Sequence, residues 1–463
     1  MKSKILFSVN KAMLLGLAIT LALLGTRPAA TQGNSPPIGQ PALAPGKMLR
    51  ASRPAIPPSS EAVLYNFQAN GQDGYTPSSL IADTDGNFYG TTLSGGTAGL
   101  GTVFELSPQS GGGWAEAVLY SFQVSPDGNT PFGNLIFDKS GNLYGTTTLG
   151  GPCHFVNLGC GTVFELSPQS GGGWSESILF NFTARDGNYP VAGLVFDNAG
   201  NLFGTTEFGG IGNGIVFELS PQSGGGWAET VLHVFKNDGS DGFYPQSNVI
   251  FDTLGNLYGT TGDGGAGTCS PYGCGTVFEL SPQAGGTWAE TILHSFQPGS
   301  QDGHGPYGGL AIDATGSLYG STAAGGGVGC LGDQGCGTVF ELALQSGVWT
   351  ETLLHRFGGT DGEEPEGYLM FDTAGNLYGT TQGGGKCSLS GGCGTVFKLQ
   401  QGSSGGWSTR VIYNFRLAGQ NGVYPSLTGL AFDTAGNIYG TTGSGGSGSG
   451  CQDGCGTVYE ITP

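Results

Sequence analysis

Positive charge is scarce in this chain. Beyond residue 60 only Lys139, Arg185, Lys236, Arg356, Lys386, Lys398, Arg410 and Arg416 are basic, against all 34 acidic residues, a formal balance of −26 for that region. A surface of that sign repels phosphate backbones, which argues against nucleic acid as a partner and leaves cations or plain solubility. Long helical patterns are missing too, which argues against an α-rich fold. No nucleophile elbow, zinc-binding helix or phosphate loop is present. Long apolar runs are absent apart from MLLGLAITLALLG at 13–25. That run follows Lys2, Lys4 and Lys11 and precedes Ala29 and Ala30, the pattern of a secretory signal peptide over 1–30. It is short for a membrane span, so an uncleaved anchor is the weaker reading, and no stable membrane insertion is expected after cleavage. Residues 31–60 are rich in Pro, Ala and Ser and read as a disordered linker.

What the chain has in abundance is glycine, 92 residues of 463, set in a repeat. LIFDKSGNLYGTT at 135–147 returns seven times, with its Asp at 83, 138, 197, 252, 313, 372 and 433. The intervals of 55, 59, 55, 61, 59 and 61 residues set the unit length. Two apolar runs flank a turn whose Gly tolerates φ > 0, the signature of a short hairpin. The leading Asp bonds backbone N–H groups just ahead of it and fixes the turn. Each unit then continues through a Gly-rich loop, a run such as GTVFELSP, a turn such as QSGGGW and a run such as AVLYSF. That makes four short strands per unit.

Seven such antiparallel units imply an all-β fold over 61–463, a seven-bladed β-propeller of four-stranded blades. An open β-solenoid is the alternative, but it needs capping repeats that are not visible. The phase of the repeat supports closure. AVLYNF at 62–67 is a fourth strand with no partners before it, and the last unit stops after its third strand. The N-terminal strand is therefore expected to complete the last blade and lock the ring, as a monomer. Trp114, Trp174, Trp227, Trp288, Trp349 and Trp407 open six fourth strands in one phase, which reads as packing between blades.

The recurring LxFDxxGNLYGTTxxGG…GTVFxL core resembles the bacterial tandem-repeat family called GloVer repeats, over 61–463. The resemblance implies export from the cell and repeat architecture; it implies no activity.

All ten cysteines fall in the loop between the second and third strands. They pair by proximity as Cys153/Cys160, Cys269/Cys274, Cys330/Cys336, Cys387/Cys393 and Cys451/Cys455. An even count, an export signal and local pairs predict five disulfides rather than a metal site, and a secreted, extracellular or periplasmic protein.

These loops share one propeller face with the connections between blades, and that face is where function is expected. A second repeated element lies there: DGYTP, DGNTP, DGNYP, DGFYP, DGHGP, DGEEP and NGVYP. Its Asp73, Asp127, Asp186, Asp241, Asp302 and Asp361, with Asn421, read as turn formers or as a ring of carboxylates for a cation such as Ca²⁺; the repetition favours turns. No other cofactor is implied. Tyr75, Phe132, Tyr189, Tyr244, Tyr307, Tyr368 and Tyr424 on the same connections suggest an exposed aromatic rim for stacking on sugars or peptides, or packing between blades. A site that acts once breaks a sevenfold pattern. The residues that do so are His154, Arg185, His304, Glu363, Glu364, Glu366 and Lys386, whereas His233, His294 and His355 occupy an aromatic position of the fourth strand. The expected function is non-catalytic recognition of a glycan or protein ligand on the disulfide-bearing face. The alternative is a polysaccharide lyase or glycoside hydrolase using carboxylates near the channel mouth.

Overall fold

The computed structural model describes residues 59–463 apart from 154–158, 211, 270–271, 299–301, 328, 331–334, 388, 390, 404, 418–420 and 426–428. The expected signal peptide, nearly all of the linker and His154 lie outside the described residues. Among the described residues every regular element is a strand.

The repeated hairpin folds as its sequence demands. In the first repeat Asp83 Oδ1 accepts the amides of Asp85 and Asn87 at 2.9 and 2.8 Å, and its Oδ2 accepts Asn87 Nδ2 at 2.8 Å. Gly86 takes φ 88°, where a side chain would be strained. This turn joins Ile81–Ala82 to Phe88–Gly95, which pairs with Thr102–Pro108, which pairs with the outer strand Trp114–Ser121. The same antiparallel order recurs in every repeat, and the result is a seven-bladed β-propeller.

Closure follows the phase of the repeat. Ser60–Asn66 pairs with Thr457–Thr462, from Ser60 opposite Thr462 to Asn66 opposite Thr457. The N-terminal strand is thus the outer strand of blade seven. Phe67 at its end packs edge-on against Phe104 of blade one at 5.0 Å. The equivalent contact recurs at the other interfaces, from Phe122–Phe164 to Phe415–Tyr459, at 5.0–5.3 Å. The buried apolar residues accordingly form seven clusters, one between each pair of neighbouring blades. The tryptophans pack as expected, half-buried across interfaces, with Trp174 of blade two 6.3 Å from Tyr89 of blade one.

The inner strand is longer than the sequence pattern suggests, which corrects the reading of DGYTP and its equivalents as loops. Gly74–Pro77 pairs with Thr92–Gly95, on the same strand edge that Ile81–Ala82 uses. The residue before the proline has φ between 55° and 67° in all seven blades: Thr76, Thr130, Tyr189, Tyr244, Gly305, Glu364 and Tyr424. For the six non-glycine residues that conformation costs about 1–2 kcal/mol each. A bond to the preceding blade holds it. The amides of Thr76, Tyr189, Gly305, Glu364 and Tyr424 donate to the carbonyls of Cys455, Cys160, Cys274, Cys336 and Cys393 at 2.9–3.2 Å, and those of Thr130 and Tyr244 to Leu100 and Asn213. The proline that follows abuts the next-door Gly: a Cβ on Gly101 would lie 2.5 Å from Pro131 Cδ.

All five expected disulfides are formed: Cys153–Cys160, Cys269–Cys274, Cys330–Cys336, Cys387–Cys393 and Cys451–Cys455. The second cysteine of each pair supplies the carbonyl just described. The disulfide therefore braces the loop that receives the next blade.

Candidate functional site at the channel mouth

Two polar systems share the disulfide-bearing face. One repeats around the ring. The other does not, and it is the candidate for a site that acts once.

The repeating system contains the DG aspartates. Each sits in its own blade interface, bonded to the end of the preceding outer strand. Asp73 Oδ2 accepts Tyr65 Oη at 3.0 Å and the Gln68 amide at 2.9 Å; Asp127 Oδ2 accepts Tyr120 Oη and the Gln123 amide at 2.9 and 2.7 Å. Histidine replaces the tyrosine at 233, 294 and 355 and faces Asp241, Asp302 and Asp361 at 3.0–3.5 Å. The outer strand of the following blade adds a glutamate. Burial first, and then the nearby aspartate, pushes Glu116 and Glu176 up to about 7 and Glu229 up to about 8. These aspartates are therefore distributed one per interface, each engaged in closing the ring.

The second system lies on the inner strands of blades three to six. The position after YGTT is Leu93, Thr148, Glu207, Gly262, Ala323, Gln382 and Gly443 in successive blades. Only Glu207 is charged. It is 4% exposed and accepts Gln246 Nε2 from blade four at 2.9 Å. Burial, opposed by that bond and reinforced by Asp263, raises its pKa to about 7. Asp263 of blade four is raised to about 7 by burial alone. Tyr307 of blade five lies within electrostatic reach of four carboxylates; burial first, and then the negative charge of Asp263, Glu366, Glu207 and Glu364, opposes loss of its phenolic proton. The break in repetition that marks a site thus collects Glu207, Asp263, Tyr307, Glu364 and Glu366.

Aromatic rings flank this cluster. Tyr189, Phe208 and Tyr244 form a row across blades three and four, with centroids 5.6 and 5.0 Å apart. Tyr368 of blade six crosses the channel below. Its hydroxyl accepts the Asn248 amide of blade four at 3.4 Å, and its ring packs where Gly309 of blade five has no side chain. Burial pushes the Tyr368 hydroxyl up to about 12, against the lowering effect of the Asn248 bond.

The structure separates the residues singled out from sequence. Tyr307 and Glu364 belong to the mouth cluster, Tyr189 and Tyr244 to the aromatic row, and Tyr368 to the channel. Tyr75 and Tyr424 instead pack against the cores of the blade seven–one and six–seven interfaces. None of the six tyrosines is exposed, so the expected exposed rim is not present. Glu363 is held in the inner strand, its backbone exchanging bonds of 3.0 and 2.9 Å with Gly383. His304 occupies the inner strand of blade five opposite Ala324, where burial lowers its pKa despite Asp302. Sequence reasoning missed Glu207 and Asp263. Both follow the invariant Thr of YGTT and its equivalents, where comparison of the seven copies picks them out as charged exceptions.

A closed propeller with an unrepeated acidic mouth among its described residues defines the class of protein. The chain belongs to the Gloeobacter/Verrucomicrobia repeat family, whose model matches residues 55–270, 154–331 and 267–463. No curated protein matches it in sequence. Among solved structures it is similar to virginiamycin B lyase from Staphylococcus aureus, with a TM-score of 0.51 and 15% identity over 88% of this chain and 99% of that one. That likeness shows a shared fold. It is also similar to a protein of unknown function from Dyadobacter fermentans, with a TM-score of 0.37 and 11% identity over 88% and 100% of the two chains. A Trichoderma reesei carbohydrate-active enzyme of family AA12, in a calcium structure, has a TM-score of 0.40 and 13% identity over 86% and 99%.

Proposed function

We propose that this is a secreted recognition protein that binds a glycan at the channel mouth on the disulfide-bearing face. The observation that carries the reading is the convergence of the unrepeated Glu207, Asp263, Tyr307, Glu364 and Glu366 beside the aromatic row of Tyr189, Phe208 and Tyr244. Carboxyl oxygens bond sugar hydroxyls, and ring faces stack on the apolar faces of a pyranose. The five disulfides fit an oxidising compartment, and no helix among the described residues is long and apolar enough to cross a membrane. A glycan array tests the reading. Binding is expected, and Tyr307→Ala or Glu207→Gln is expected to weaken it by tenfold or more, roughly the value of one buried charge-assisted bond. An array without a single binder would sink it.

One observation favours catalysis as a second reading. Glu207 and Asp263 are both raised to about 7, so protonated and ionised carboxyls coexist at neutral pH, as general acid–base cleavage of a glycan requires. Incubating the protein with the polysaccharides it binds distinguishes the two. Release of shortened chains that stops in Glu207→Gln and Asp263→Asn would make it an enzyme.

A further inference from the structure

The repeating interface system is not uniform, and its variation points to metal. At six of the seven interfaces an Asp faces a side chain of the preceding outer strand; Asn421 takes that place at the seventh. That side chain is Tyr65, Tyr120, Phe180, His233, His294 or His355, and Tyr413 at the seventh. The following outer strand contributes the residue opposite the last apolar position of its neighbour: Glu116, Glu176, Glu229, Glu290, Glu351, Thr409 and Glu61. Only two interfaces combine His, Asp and Glu. These are His233, Asp241 and Glu290 between blades three and four, and His294, Asp302 and Glu351 between blades four and five. The third histidine, His355, has Asp361 but meets Thr409 where the others have glutamate.

We infer that these two interfaces each bind a divalent transition cation of the Zn²⁺ class through one imidazole and two carboxylates. Two ligands about 2.0–2.1 Å from a tetrahedral centre lie about 3.3–3.4 Å apart. His233 Nε2 is 3.3 Å from Asp241 Oδ2 and 3.4 Å from Glu290 Oε1. The second set is more open, with His294 Nε2 3.5 Å from Asp302 Oδ2 and 3.9 Å from Glu351 Oε2. The first site is therefore the tighter one.

An unsatisfied imidazole nitrogen supports the assignment independently of this spacing. Asp241 is only 6% exposed, and its Oδ2 accepts the Lys236 amide at 2.9 Å, which fixes that oxygen beside His233; its Oδ1 and Glu290 Oε1 have no partner, as is also true of Asp73 Oδ1 and Glu116 Oε1 at a tyrosine interface. In the second set His294 Nε2 itself is buried without one. Where tyrosine stands instead, its hydroxyl donates to the aspartate directly, as Tyr65 does to Asp73. Imidazole with two carboxylates suits Zn²⁺ and its neighbours better than Ca²⁺, which takes oxygen ligands and more of them.

The experiment uses the full oxidised chain, stripped with chelator, dialysed and titrated with Zn²⁺ in a calorimeter, with bound metal counted by elemental analysis. Two Zn²⁺ per chain are expected. His233→Phe and His294→Phe should each remove one, and the double variant both. Phe180 holds the same place at the blade two–three interface, so these variants keep a side chain the fold already accepts. His355→Phe should leave the count at two, and Thr409→Glu should raise it to three. Absence of Zn²⁺ binding, or a stoichiometry unchanged in the double variant, would overturn the inference, and circular dichroism of each variant checks that it is folded.

Discussion

The blade interfaces and the channel mouth are built from the same strands, yet they obey opposite rules. At the interfaces most residues recur in near-copies around the ring: Phe against Phe, or once Tyr459, proline against glycine, and aspartate, or once Asn421, against a ring of the preceding blade. At the mouth the residues differ from blade to blade: Glu207 and Asp263 are charged exceptions at their positions, and Tyr307 and Glu366 share one repeat position that holds Ser78, Phe132, Val191 and Gln246 in other blades. Repetition is what a closed ring requires, because each sheet buries its two faces only against its neighbours. A ligand bound once on the axis has no use for it. On the proposed reading, stability and ligand binding occupy different residues of one strand, and the two sets are expected to be separable by mutation.

The largest effect should come from the closing strand. Removing Ser60–Phe67 takes the outer strand from blade seven and Phe67 from the interface with blade one, and the whole domain is expected to lose its cooperative melting transition. An unchanged transition on calorimetry would contradict closure by this strand. Phe164→Ala empties one interface cluster without cutting the ring, with an expected cost of ~3–5 kcal/mol in denaturant unfolding. Opening one disulfide by a double Cys→Ser change should cost ~2 kcal/mol, since the loops closed are short. Cys387/Cys393 is a good case, because the Cys393 carbonyl receives the Tyr424 amide. Acidification sharpens the comparison further. Glu116, Glu176 and Glu229 hold a proton up to about pH 7–8 in the folded chain but only to about 4.5 when unfolded. The folded state thus binds more protons between those values, so the melting temperature should fall as pH rises from about 4.5 to 8. Glu229→Gln should flatten that slope. The smallest effect on stability is expected from the mouth: Tyr307→Ala should change melting little while weakening ligand binding.

Much of the fold was legible because it repeats. The Asp-x-x-Gly-Asn hairpin, the four-strand unit and the orphan outer strand each follow from local chemistry, and seven copies make every inference seven times over. The inner strand was legible only in part. Thr76 and its equivalents turn left-handed before a proline, and a sequence pattern with Gly, Asp and Pro looks like a loop whether or not it pairs with Thr92–Gly95. The aromatic residues show the same limit. Tyr75 and Tyr307 come from similar segments, but one packs into an interface and the other stands among carboxylates.

The blade, the number of blades, the pairing of the cysteines and the way the ring closes can be read from the chain's residues alone, because those depend on short-range periodicity and on the phase of a repeat. That Glu207, Asp263 and Glu366 come within electrostatic reach of Tyr307 is visible in the folded ring and not in the repeat, since the four lie in different blades and up to 159 residues apart. Periodicity tells how far along a strand a side chain sits; which side chains face one another across a channel is set by the curvature of the closed ring.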